Sequence, residues 1–266
     1  MKRTEFIATT LTVFLAACAS GPPRSVATAR DYLAPTGQLR VGLIMSNPVL
    51  VTKTADTSEL RGVAVELGKL LASSLKVSFE PVEYVSPAAL TQSIGKNEWD
   101  VAFIGVDPAR ASTVNFSQPY MEVENTYLVL GNSRIRTIDD ADQVGMRIAV
   151  PERSVPDNYL SRHLQNAELV RVPGGLGPLI DVLQSGRADA YAENAHMLTG
   201  AKRSLPGARV LAGTYTVVQH AIALPKDKPA GLAFVDAFIA QAKASGQVTR
   251  AIEHSGLRRV TVPVQR

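Results

Sequence analysis

The chain of 266 residues has one cysteine, Cys18, one tryptophan and four histidines. A single cysteine excludes an intramolecular disulfide, so the compartment has to be read from other signals. His163, His196, His220 and His254 lie far apart and lack metal-ligand spacing. Each reads as a surface or packed residue, and neither a metal nor a cofactor is expected. No G-x-S-x-G elbow is present, and no other catalytic constellation stands out. Aromatics are 6% of the chain. The basic residues are scattered rather than set in a stripe with aromatics, which argues against nucleic acid as a partner. The net charge of +4 reads first as solubility and second as a weak attraction for small anions.

Long apolar runs are also missing. Residues 6–17 form an apolar stretch of twelve, short of the about 20 that span a bilayer. With Lys2 and Arg3 before it, the stretch reads as an export signal. It ends in Leu15-Ala16-Ala17-Cys18, which resembles a bacterial lipoprotein processing box. The resemblance implies a cut before Cys18, whose thiol then carries lipid. The alternative is an ordinary signal cut near Ala19-Ser20. Acyl chains contribute about 0.8 kcal/mol per buried methylene, so two or three would hold the protein at a membrane.

What the chain does have is globular. Hydrophobic residues are 45%, enough for one large domain or two small ones. Residues 19–37, rich in small residues, Pro and Arg, show no apolar period and read as a tether. Beyond them strand-like and helix-like runs alternate. Strands are expected at 39–45, 77–84 and 100–105, with helices at 60–75 and 87–95. In the second helix Ser86 is the N-cap and Pro87 the first residue. The pattern restarts with strands at 146–150, 169–172 and 188–193 and helices at 154–164 and 176–185. Two stretches match across the halves, LTQSIGKNEWDVAFIG and LIDVLQSGRADAYAEN. Each is a helix, a Gly-containing turn, an Asp and an apolar strand. Two further runs, 125–131 and 220–225, are placed to join the halves, and 229–244 reads as a helix. The expectation is an α/β chain with two lobes and a ligand cleft near the C-terminal ends of the strands.

From residue 39 to about 260 the chain resembles the periplasmic-type solute-binding proteins of bacterial ABC importers, in the family 3 branch for polar amino acids. LRVG, RGVAVELGKLLA, EWDVAFIG, ARASTVNFSQPY and VLQSGRADAYAEN carry the likeness through their order and spacing. The resemblance implies a type II periplasmic-binding-protein fold, each lobe a mixed sheet flanked by helices, with two hinge crossings. It also implies a small carboxylate ligand, a permease partner in the membrane, a monomer, and a periplasmic or cell-surface location. The expected division is a signal at 1–17, a tether at 18–37, one lobe from 38–128 and 222–262, and the other from 129–221.

In relatives an Arg before the FSxPY stretch clamps the ligand's α-carboxylate, and Arg110 holds that place. Asp107-Pro108 looks like an N-cap and first helical residue, with Gly105 ending the strand before it. Arg110 either meets a ligand or braces its own loop through Asp107 or Glu122. The acidic residue that relatives place five positions after the Asp of GxxDA is Asn194 here. Glu193 is adjacent and substitutes only if the strand ends or bulges. Relatives' Gly-Thr-Thr loop reads Arg153-Ser154-Val155, so Arg153 either brings a second cation to the cleft or points to solvent. The first loop has no aromatic to cover a ligand. Asn47 is its candidate hydrogen-bonding residue, while Val49 and Leu50 read as core. These departures point to a divergent branch, for a ligand with two acidic groups or no amine. PGGLGP at 173–178 reads as a helix-entry turn, and Trp99 as packing. Capture rather than catalysis is expected. The alternatives are a cyclohexadienyl-type dehydratase on the same fold or a solute-sensing domain.

Overall fold

The computed structural model describes residues 26–264 apart from Ala55 and Asp227. The signal and Cys18 lie outside the described residues. The first described element corrects the tether, because Val26–Leu33 is a helix, α1, with Ala29 and Leu33 buried. Leu33 packs on Gly231 so closely that a β-carbon there would lie 2.5 Å from Leu33 Cδ2. Two apolar anchors on an eight-residue helix are too few to register as a period.

The first lobe opens with β1 (Gln38–Ile44), a short hairpin of β2 (Thr52–Lys53) and β3 (Leu60–Arg61), then α2 (Val63–Ser74) and β4 (Ser78–Tyr84). Gly62 makes the sharp entry to α2 at φ 124°, where a β-carbon would lie 2.6 Å from the Leu50 carbonyl oxygen. Next come α3 (Pro87–Ser93), β5 (Val101–Gly105), α4 (Pro108–Ala111) and β6 (Val114–Phe116). Ser86 caps α3, its hydroxyl accepting from the Ala89 N–H with Pro87 following, as the sequence predicts. Strand β7 (Met121–Val129) then leads away.

The second lobe repeats the pattern with β8 (Arg147–Pro151), α5 (Val155–His163), β9 (Glu168–Val172), α6 (Leu176–Gln184), β10 (Ala190–Asn194), α7 (Ala195–Ala201) and β11 (Arg209–Val210). Strand β12 (Thr216–Pro225) returns to the first lobe, followed by α8 (Pro229–Ala244), α9 (Gln247–His254) and β13 (Val260–Thr261). Gly175 precedes α6 at φ 109°, so the PGGLGP stretch is a helix entry.

The strands form one sheet path, β4-β1-β5-β12-β7-β10-β8-β9. Its halves match. β4, β1 and β5 are mutually parallel with β12 antiparallel to them, and β9, β8 and β10 are parallel with β7 antiparallel. Each lobe therefore takes its fourth strand from a crossing segment, and the two crossing strands pair with each other through 121–125 and 216–220. The apolar cores change over inside β7. Met121 and Val123 pack with the first lobe, whereas Tyr127, Leu128 and Val129 pack with the second.

The matched motifs have a common physical purpose. In the first lobe Asp100 grips Arg40, taking its Nε at 3.0 Å, its Nη2 at 2.9 Å and its backbone N–H at 3.0 Å. In the second, Asp189 grips Arg147 at 3.2, 3.2 and 2.9 Å in the same way. Each Asp precedes its lobe's third strand and ties it to the start of the first strand. Bidentate pairs of this kind fix direction as well as distance. They lock the N-terminal ends of the strands and leave the C-terminal ends to build the cleft. Trp99 is buried beside the first pair, its indole N–H donating to Ser93 Oγ at 2.8 Å.

Helix α1 supplies a test. Leu33→Ala should cost about 2–5 kcal/mol, the range for truncating a fully buried leucine. Urea unfolding measures it, and an unchanged midpoint would return residues 26–33 to a tether.

Candidate functional site

The facing strand ends enclose a small cavity between the lobes, of about 40 Å³. Arg110, Asn47 and Gly105 reach it from the first lobe, and Ser154, Glu193 and Asn194 from the second. Asp107 and the side chain of Arg153 do not line it.

Arg110 is 5% exposed. Its Nη1 donates to the Gly105 carbonyl at 3.0 Å and its Nη2 to the Arg153 carbonyl at 2.8 Å, so one guanidinium spans both lobes. Its Nε is buried without a partner. It makes no ion pair with Asp107 or Glu122 among the described residues. Burial pulls its pKa down to about 10, with Asp107 opposing, so it remains cationic at neutral pH.

Asp107 is a structural carboxylate rather than a cleft residue. It caps α4 by accepting from the Ala109 N–H at 2.9 Å. Its other partners come from the opposite lobe: Asn158 Nδ2 at 3.0 Å and Arg162 Nη2 at 3.1 Å. Of the two alternatives for Arg153, its side chain does not line this cavity but borders a neighbouring hollow that Arg110 and Asn158 also line. Its backbone is left-handed at φ 56°, its side chain is half exposed, and its nearest acid is Glu152 at 3.7 Å. Its contribution to the site is the carbonyl that Arg110 binds.

Glu193 and Asn194 are the last two residues of β10, and Asn194 also caps α7, its Oδ1 accepting from the Met197 N–H at 2.8 Å. Its backbone N–H and Nδ2 donate to Glu193 Oε1 at 2.8 and 3.0 Å. Alternation along the strand therefore fails at this end, and both residues reach the cavity. Glu193 is half-buried and lines the cavity. Desolvation raises its pKa, with the two Asn194 hydrogen bonds opposing. Ser154 caps α5 through the Asp157 N–H at 3.1 Å. Asn47 Oδ1 accepts from the Val49 N–H at 3.2 Å, and Val49 and Leu50 are core as expected.

Sequence reasoning missed His220, a buried cavity residue whose pKa burial depresses to about 4, with Arg110 adding to the effect. It also missed Asn125, Val155, Val218 and the Gly174-Gly175 wall. A signal was present. The two joining runs begin at Asn125 and His220, and strands that cross between lobes must pass the cleft.

The comparisons with known proteins follow this geometry. The model for bacterial extracellular solute-binding proteins, family 3, matches residues 39–255. The chain belongs to that family. It is similar to a mutant of ArgBP from T. maritima at 25% identity and a TM-score of 0.74, over 86% of this chain and 99% of that one. The solute receptor for L-cysteine of Neisseria gonorrhoeae gives 22% and 0.74, over 86% and 92%. The ancestral amino-acid-binding protein AncCDT-1, a precursor of cyclohexadienyl dehydratase, gives 22% and 0.72, over 84% and 97%. These likenesses establish the two-lobed fold of a solute-binding protein. Among the described residues no helix is long and apolar enough to cross a membrane.

The buried histidine has a consequence for stability. Its folded-state pKa lies below the unfolded value of about 6.5, so the folded protein binds its proton less readily. The contribution is fully present above that value and is lost as pH falls toward about 4, on the order of 3 kcal/mol in all. Glu193, raised, runs the other way, losing its contribution as pH rises through its folded-state pKa. Denaturant unfolding across pH 4–7 should show a smaller acid-side fall for His220→Asn than for the parent. An identical fall would mean that His220 is not the group responsible.

Proposed function

We propose that the chain is the substrate-binding component of an ABC importer, capturing a small carboxylate-bearing amino acid or related acid between its lobes. The observation that carries this reading is Arg110, a buried guanidinium with two carbonyls and no anion against it. A buried charge left without a counter-ion is costly, and a ligand carboxylate supplies one with directional hydrogen bonds. Glu193 faces the same cavity and is suited to take the ligand's ammonium, the role Asn194 lost by capping α7.

Binding is coupled to closure. Arg110 reaches Arg153, and Asp107 reaches Asn158 and Arg162, only when the lobes are together. A ligand shifts the open–closed balance by its differential affinity for the closed form. The closed protein then delivers its cargo to a membrane permease. In this reading residues 1–17 are removed, Cys18 carries the lipid that keeps the protein at the membrane, and the protein works as a monomer.

A second reading draws on Glu193. A buried carboxyl with a raised pKa beside a carboxylate clamp suits a general acid, as a dehydratase requires. Ligand recovered unchanged after incubation supports capture, and consumed ligand supports the enzyme.

Arg110→Ala should weaken a carboxylate ligand by about 2–5 kcal/mol by calorimetry, and unchanged affinity would make Arg110 structural. Arg162→Ala, far from the ligand, should release it several-fold faster while leaving the unfolding of the empty protein nearly unchanged. Stopped-flow release kinetics separate this from a general loss of fold.

A further inference from the structure

We propose that the site selects a small zwitterion with a short, uncharged side chain, and that Val155 and Val218 set the size limit. This rests on the reading of Arg110 and Glu193 given above.

The size argument comes from the walls. The cavity is small, at about 40 Å³. Its floor is closed by two valines that press on the end of β5 from different elements. A β-carbon on Gly105 would lie 2.7 Å from Val155 Cγ2 and 3.0 Å from Val218 Cγ1. Its far side is closed across the lobes, where a β-carbon on Gly174 would lie 2.9 Å from Ser46 Oγ and 3.5 Å from Pro87 Cδ. A larger side chain on the ligand would press on these walls while the lobes stay closed.

The charge argument comes from the lining. Arg110 is its cation and Glu193 its carboxylate, with His220 the remaining titratable group. A cationic side chain finds no second carboxylate, because Asp107 is committed to Ala109, Asn158 and Arg162. A second acid on the ligand finds no second guanidinium in this lining, which Arg153 does not join. The ligand with two acidic groups or no amine, expected from the sequence, fits this lining poorly. The lining also has no Phe, Tyr or Trp to cover a guanidinium or a ring.

Calorimetry on the parent protein tests this with glycine, L-alanine, L-serine and L-cysteine against L-arginine, L-glutamate, L-phenylalanine and succinate. At least one of the first group should bind 100-fold or more tightly than every member of the second, and Arg110→Ala should weaken that binding by about 30-fold or more. Val155→Ala, with Val218→Ala as the independent second variant, should raise L-leucine affinity tenfold or more. Arginine, glutamate or phenylalanine binding as tightly as the small ligands, and depending on Arg110, would overturn the size and charge inference and leave carboxylate capture standing. Leucine affinity unmoved in both variants would overturn the assignment of the valines. No binding by any of the eight would overturn the reading of the site itself.

Discussion

A guanidinium buried at the junction of two lobes, with carbonyl oxygens for partners and no carboxylate, is the constraint around which the cleft is arranged. Arg110 is held there because Asp107 and Pro108 start a short helix directly after β5. That turn brings the side chain back over the Gly105 carbonyl. Two carbonyl hydrogen bonds orient the cation without neutralising it, and its Nε stays unpartnered. Desolvation acts on the protein whether or not a ligand is present, but the compensation arrives only with an anion. One of the carbonyls belongs to the other lobe, so compensation and closure are parts of one equilibrium.

The duplicated architecture explains where the counter-charge comes from. Each lobe has its third strand anchored at the bottom by an Asp that grips an Arg, Asp100 with Arg40 and Asp189 with Arg147. Each has a helix cap at the top of that strand, Asp107 just past it in one lobe and Asn194 as its last residue in the other. The lobes differ in what the strand end presents. The first ends in Gly105, whose missing side chain gives room to the two valines, and its charge comes from the helix that follows. The second ends with Glu193 inside the cavity, propped by the residue that caps the next helix. A cation and an anion thus line one cavity from the two lobes, the cation on the helix after its strand and the anion on the strand itself.

Much of the fold was legible because its signals are local. The alternation of strands and helices, the Ser86-Pro87 entry, the restart after residue 146 and the two matched stretches all rest on short-range patterns. Helix α1 was hidden because its burial depends on Gly231, about 200 residues away. The site was legible in kind at Arg110 and Ser154, whose neighbours carry turn and cap chemistry. It was not legible at Asp107, whose partners Asn158 and Arg162 are set by lobe closure. Nor was it at Arg153, where one left-handed residue decides between cleft and solvent. At Glu193 the sequence leaves both outcomes open, because neighbouring residues alone do not show that Asn194 is the last residue of β10 and the cap of α7. His220 looked bland because its role depends on the crossing strand that carries it, not on its neighbours.

The charge state of the empty cavity follows from the same geometry and bears on what can fill it. Arg110 stays cationic, burial favours neutral His220, and burial disfavours the Glu193 carboxylate. An anion without an amine would partner Arg110 but leave Glu193 as costly as before. A zwitterion gives each buried ion its opposite, and its ammonium draws Glu193 toward the ionised form that desolvation resists. It does so without adding net charge to a site that water has left. Closure around such a ligand converts two unfavourable buried groups into two satisfied ones. That gain belongs to the closed state alone, which is the differential affinity that closure requires.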